Sequence, residues 1–350
     1  MVGRKYSEQV NIDNALKLRE LLKQMPGFAA DYFRAIEPTT QSRTRIAYAY
    51  DMIVFFKFLK ENNPSLKNTE IKDIRLKVLD ELKAVDIEEY MDYLKYYNKG
   101  NTERVNTETG IKRKLVALRG FYKYFYKREL IENNPTVLID IPKLHEKEII
   151  RLDSDEVETL LNDVETGEGL SERAKKFNGK TAVRDLAIVT LMLGTGIRVS
   201  ECVGLDINDV DFKNSGIRIH RKGGNEVIVY FGEEVEDALS LYLDERRKIE
   251  PVEGNEQALF LSLQRKRINV RSVENLVKKY ARTVTTLKKI TPHKLRSTYG
   301  TSLYKETGDI YLVADVLGHK DVNTTKKHYA AIDEDRRRSA ADKVTLRKKY

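Results

Sequence analysis

One cysteine, Cys202, stands among 350 residues. A lone thiol permits no intrachain disulfide and no cysteine-based metal site. The opening residues, MVGRKYSEQVNIDN, lack the apolar stretch of a signal peptide. No run reaches the roughly 18 apolar residues that a membrane-spanning helix needs. No repeat of fixed period occurs, and no low-complexity tract exceeds a few residues. The glycines of RKGG lack the framing of a nucleotide-binding loop, and no Ser-His-Asp arrangement can be read from spacing. A metal site built on His293, His319 and His328 has no acidic partner at a recognised spacing. These absences point to a cytoplasmic chain with no membrane partner, no metal and no cofactor.

What is present bounds the class. Hydrophobic residues make up 41%, enough for a packed core and too many for a disordered chain. The length suits two domains or three. Lysine and arginine number 63 against 54 acidic residues, a formal net charge of +9. Such an excess suits an anionic partner such as nucleic acid, although charge alone is shared by many solvated surfaces.

The chain opens with helical patterns. Residues 8–36 carry Leu16, Leu18, Leu21, Leu22 and Met25 at helical spacing, with a break at MPGF. Tyr48, Ile53, Phe55, Phe56 and Leu59 follow a period near 3.6 until Asn63-Pro64 stops the element. AVDIEEYMDYLKYYNK predicts a helix with Asp86 as N-cap, and TETGIKRKLVALRGFYKYFYKRELI predicts a longer one. Residues 1–132 therefore read as an all-helical domain. Residues 133–150 hold Pro135 and Pro142, show no helical period, and read as an extended linker.

Residues 151–350 read as a second, mainly helical domain with a small antiparallel sheet. LDSDEVETLLNDV has an N-cap signature, and RDLAIVTLMLGTG reads as a buried helix ended by glycines. SGIRIHRKGGNEVIVYF alternates, turns at Gly223-Gly224 and alternates again, as a hairpin does. Its His220 reads as structural. EEVEDALSLYLDERRKI and RSVENLVKKYARTV are amphipathic helices, and residues 333–350 suit a last, basic helix.

Five features of this second half could carry chemistry. In GTGIRVSEC, Arg198 opens a helix after two glycines, with Glu201 one turn on. A guanidinium fork matches two phosphate oxygens, though a surface arginine after a C-cap glycine looks the same. Lys222 sits at the hairpin tip, where most lysines are merely solvated. In TPHKLR, Thr291 reads as N-cap and Pro292 as the first helical residue. His293 and Arg296 then share one face of the first turn, beside free N–H groups and the positive dipole end. An exposed, capped His-Arg pair reads equally well. Gly318 reads as the C′ glycine of DIYLVADVL, which throws His319 out at a helix end. Tyr329 follows on TTKKHYAAI, capped by Asn323, beside Lys326 and Lys327. It is one of 19 tyrosines, and phenol is a poor nucleophile at its usual pKa near 10. Surrounding cations make it plausible as one.

Taken in order, these residues resemble the tyrosine recombinase (phage-integrase-like) family. Its pattern is Arg, a hairpin Lys, His-x-x-Arg, His or Trp, then Tyr. Arg198, Lys222, His293, Arg296, His319 and Tyr329 match it. The helical front and the NNP…IPK segment are also similar to the family. Within it, the chain most resembles Xer-type recombinases, and KLRELLKQMPGFAADYF resembles the longer front of the single-recombinase branch. The step from His319 to Tyr329 is ten residues, as in many mobile-element integrases, where many Xer proteins have nine.

The resemblance implies a helical, SAM-like core-binding domain over residues 1–132 and a catalytic domain over residues 151–350. It implies site-specific recombination of duplex DNA through a 3′-phosphotyrosine, in chromosome dimer resolution during chromosome partition and cell division. Integration or excision of a mobile element, or a catalytically silent DNA-binding protein, are the alternatives. Tyr329 would attack a phosphate that Arg198, Arg296 and His319 hold. Lys222 would protonate the leaving 5′-oxygen. His293 would help deprotonate Tyr329 or act by hydrogen bonding, and Glu201 would orient Arg198 or His293. The implied partners are a recombination site, a homotetramer on two duplexes and, in some systems, a DNA translocase or accessory protein. The tail over residues 333–350 would dock on a neighbouring protomer.

Overall fold

A computed structural model describes residues 6–99, 102–142, 150–221, 225–319 and 321–322. The chain divides into two compact units, Met1–Lys147 and Glu148–Tyr350.

The first unit is built on helices α1 (Tyr6–Leu22), α2 (Ala29–Ala35), α3 (Ser42–Asn62), α4 (Lys77–Glu81), α5 (Ala84–Lys95) and α6 (Glu108–Tyr126). The apolar rows of α3 and α6 face each other. Met52, Phe55, Phe56 and Leu59 from α3 are buried with Leu115, Leu118, Phe121 and Phe125 from α6. Phe28 closes this core edge-on, its ring centroid 5.5 Å from that of Phe125 and 6.1 Å from that of Phe56. Each such ring removed from water contributes roughly 2–3 kcal/mol. Asn63 stops α3 as expected. Its side chain accepts from Ser65 N at 3.0 Å while Pro64 opens a short 3-10 turn.

Three expectations for this half need correction. The first concerns Asp86, which is the third residue of α5 and not its N-cap. Lys83 holds the cap position, and its N–H donates to the Asp86 carboxylate at 2.7 Å. The second concerns the element itself. The unit is not all-helical, because α5 ends at Lys95 and the chain continues as an antiparallel ribbon, β1 (Tyr96–Lys99) and β2 (Thr102–Val105). The Asn106 side chain donates to Leu94 O at 2.7 Å and so closes the helix end. Tyr97 stacks on Tyr93 at 5.3 Å, while Tyr96 points outward and donates to Glu103 at 2.9 Å. Strand alternation lets one tyrosine pack and the other face water.

The third is the segment read as an extended linker, whose first part is folded. Asp80 accepts from Glu132 N and Asn133 N at 2.8 and 2.7 Å. Pro135–Leu138 forms a 3-10 turn with Thr136 buried, and Arg119 donates to the carbonyls of Thr136 and Ile139. Proline removed the helical period there without freeing the chain.

The second unit holds α7 (Ser154–Thr166), α8 (Glu172–Asn178), α9 (Ala182–Thr195) and α10 (Val199–Gly204). Strands β3 (Val210–Asp211), β4 (Gly216–His220) and β5 (Glu226–Tyr230) follow. Helices α11 (Glu233–Arg246), α12 (Val270–Val284), α13 (Pro292–Thr307) and α14 (Ile310–Leu317) complete it. Buried α9 is the hub, packed by α7, α11 and α13. The sheet runs β3-β4-β5, antiparallel, with Ile217 opposite Val229 and His220 opposite Glu226. The expected hairpin is therefore present with one more short strand, and its turn at Gly223-Gly224 lies outside the described residues. A buried polar network ties α9 to α12: Asp185 accepts from Arg184 at 2.6 Å, Thr181 at 3.0 Å and Tyr280 at 3.0 Å. Among the described residues no helix is long and apolar enough to cross a membrane.

Candidate active site

Two glycine corners make the site. Helix α9 ends at Gly196, which is left-handed at φ +63°. A Cβ there would overlap the Tyr299 ring and Leu317. Glycine alone permits both the backbone and the close approach. The corner turns the chain into Arg198, which is extended and holds the N-cap position of α10.

Glu201, buried in the first turn of α10, accepts twice from this one residue. Its carboxylate takes Arg198 N at 2.7 Å and Arg198 Nη1 at 2.9 Å. The backbone bond holds the helix start, and the side-chain bond fixes the guanidinium. Neighbouring Cys202 is buried, and burial pushes its thiol up to about 12, so it stays protonated at neutral pH.

Helix α13 brings the second arginine. Thr291 holds the cap position and Pro292 is the first helical residue, as the sequence predicts. His293 is exposed in the first turn, and Arg296 one turn on is buried. Arg296 Nη1 donates to Gly196 O at 2.6 Å, and Nη2 donates to Leu317 O. One guanidinium thus joins the end of α9 to the end of α14.

The end of α14 is the second corner. Gly318 is left-handed at φ +61°. Its N–H donates to Asp315 O at 2.8 Å, and that of His319 donates to Ala314 O at 2.9 Å. This is the Schellman arrangement expected of a C′ glycine. The remaining carbonyls take arginines. Leu317 O receives Arg296 and Gly318 O receives Arg198 Nη2 at 3.4 Å. Val316 O receives Arg221 Nη2 at 2.6 Å, and Asp315 O also receives Arg221 Nη1 at 3.3 Å. Cations suit this negative dipole end, and a hydrogen bond from a charged donor contributes about 1.5–3 kcal/mol.

The structure therefore brings Arg198, Glu201, Arg296 and His319 to one corner, with His293 one turn before Arg296. Lys222 and Tyr329 lie outside the described residues, as do Asn323 and the tail over residues 333–350. His220 pairs across the hairpin with Glu226 at 3.3 Å, in keeping with a structural role. Arg221 is the residue that sequence reading missed. Its only signal was its place beside Lys222 in RKGG. Among the described residues no three His, Cys, Asp or Glu side chains gather as metal ligands.

Residues 150–336 match the model of the phage integrase family. Tyrosine recombinase XerC of Caldanaerobacter subterraneus subsp. tengcongensis is 33% identical, covering 97% of this chain and 90% of its own length. Tyrosine recombinase XerS of Streptococcus uberis is 32% identical, covering 94% of this chain and 98% of its own. Among solved structures, the XerH site-specific recombinase bound to palindromic difH substrate, a post-cleavage complex, gives a TM-score of 0.65. It is 22% identical over 86% of this chain and 80% of that one, a likeness of fold. The Tn1549 transposon integrase in complex with circular intermediate DNA gives 0.60, also at 22% identity, over 85% and 93%. A family match over more than half of the chain, with relatives above 30% identity along nearly all of it, places this chain in the phage integrase family, among the Xer-type tyrosine recombinases.

Proposed function

We propose that this recombinase cleaves and rejoins duplex DNA at a specific site through a 3′-phosphotyrosine on Tyr329. One observation carries the reading. Arg198 and Arg296 are both pinned by main-chain carbonyls at the cap that presents His319. Donors held this way are already oriented when charge develops on a phosphate, which is what electrostatic catalysis requires.

In the cleavage step, the Tyr329 phenolate oxygen forms a bond to phosphorus and the bond from phosphorus to the 5′-oxygen breaks. Arg198, Arg296 and His319 donate to the non-bridging oxygens, each worth about 3 kcal/mol of barrier lowering. Glu201 keeps the Arg198 fork in plane. His293 assists deprotonation of Tyr329, and Lys222 delivers a proton to the departing 5′-oxygen. Attack by a 5′-hydroxyl from another strand reverses the step on a new partner, so no high-energy cofactor is consumed.

The XerH and Tn1549 structures hold DNA, and the net charge of +9 suits a phosphate-lined partner. Exchange between two duplexes uses four active sites, so a homotetramer on DNA is the functional assembly. The relatives named XerC and XerS match over at least 90% of both chains, which favours chromosome dimer resolution over mobile-element integration. A DNA translocase or accessory protein is the regulator such a role would use.

A nicked suicide duplex tests the chemistry. The wild-type chain should accumulate a covalent adduct on a denaturing gel, with or without EDTA. Tyr329→Phe should bind with unchanged affinity and form none, and Arg198→Ala should cleave about 10²–10³-fold more slowly. Adduct from Tyr329→Phe at the wild-type level would overturn the assignment.

A further inference from the structure

The geometry points to Arg221 as a positioning residue that fixes the His319-bearing corner for cleavage. It lies at the end of β4, where its N–H donates to Asn225 O at 2.8 Å. Its guanidinium reaches 94 and 95 residues along the chain, to the carbonyls of Asp315 and Val316. Those two groups belong to the last turn of α14, directly before Gly318 and His319.

Three features set this contact apart from a surface salt link. The guanidinium lies against the Gly318 backbone so closely that any Cβ at Gly318 would overlap it. Among the described residues its Nε is buried without a hydrogen-bond partner, a cost accepted only where other contacts dictate the pose. Its acceptors are main-chain carbonyls, whose positions set the path of the chain into His319. Arg198 and Arg296 hold the same cap at Gly318 O and Leu317 O. Removing Arg221 takes one donor from Val316 O and one from Asp315 O, which keeps only the Gly318 N–H, and lets the corner shift. Displacements of about 1 Å in a catalytic group can cost about 100-fold in rate.

This inference rests on the proposed role of His319 as a phosphate donor. The test uses the full chain in three variants, Arg221→Ala, Arg221→Lys and His319→Ala, and the double variant Arg221→Ala with His319→Ala. Amide-resolved hydrogen exchange should show Gly318 and His319 exchanging about tenfold faster in Arg221→Ala, with α9 and α12 unaltered. Suicide-duplex cleavage should slow by about 10–100-fold at unchanged DNA affinity and unchanged salt slope. Arg221→Lys should fall between, since an ammonium keeps the charge and loses the fork. On the His319→Ala background, Arg221→Ala should add less than about twofold, because coupled residues are not additive.

Unchanged exchange at Gly318 and His319 would overturn the inference. So would a fully additive loss on the His319→Ala background, or a loss carried by affinity and salt slope, which would make Arg221 a phosphate contact. If His319→Ala alone cleaves at the wild-type rate, the proposed role of His319 falls, and the exchange measurement still decides whether Arg221 holds the corner.

Discussion

The two units are organised by different forces. The first is an aromatic core: Phe121 is fully buried and meets the rings of Tyr32, Phe56 and Phe125 at 5.1, 6.0 and 5.0 Å. The candidate site of the second is a polar junction, where Arg198, Arg221 and Arg296 converge on four consecutive carbonyls, from Asp315 to Gly318. Burial of rings is non-directional and tolerates adjustment. A guanidinium between carbonyls fixes an angle as well as a distance. The aromatic unit is therefore built for stability and the arginine junction for orientation.

Substitutions in each place should separate these two outcomes. The largest effect is expected from Phe121→Ala, which should lower unfolding free energy by about 4 kcal/mol in denaturant titration. Its folded fraction should cleave a suicide duplex at the wild-type rate per bound complex. Arg296→Lys should do the reverse. An ammonium cannot bridge Gly196 O and Leu317 O as a fork does, so cleavage should fall by about 100-fold. A drop in binding affinity equal to the drop in rate would blur the contrast. The smallest effect is expected from Glu201→Gln, which keeps an oxygen for Arg198 but loses the charge. Single-turnover cleavage should slow by about tenfold, with the melting temperature little moved.

The same contrast explains what could be read from the sequence. Apolar periodicity reports burial, so α3 and α6 were legible, α3 with its stop at Asn63-Pro64. The glycines at 196 and 318 were legible because a left-handed corner has few alternatives. Arg198, Glu201, Arg296 and His319 were legible as a pattern of residue types. What Arg296 and Arg198 hold was not, since main-chain carbonyls carry no residue code. Arg221 was hidden for that reason, its acceptors lying 94 and 95 residues away. The β1–β2 ribbon was hidden because Tyr96 and Tyr97 continue the apolar pattern of α5, and the helix ends where Asn106 folds back on Leu94 O and the strands pair. Residues 133–139, the first part of the segment read as a linker, were misread because proline marks the absence of helix and says nothing of tertiary anchoring.

Tyr329 is the proposed nucleophile, and its covalent adduct can be located directly. The adduct formed on a suicide duplex should be digested with protease and nuclease, and the peptide bearing the residual nucleotide sequenced by mass spectrometry. One modified residue is expected, Tyr329, joined to a 3′-phosphate, among the 19 tyrosines of the chain. A nucleotide on any other residue, or a 5′-phosphate linkage, would contradict it.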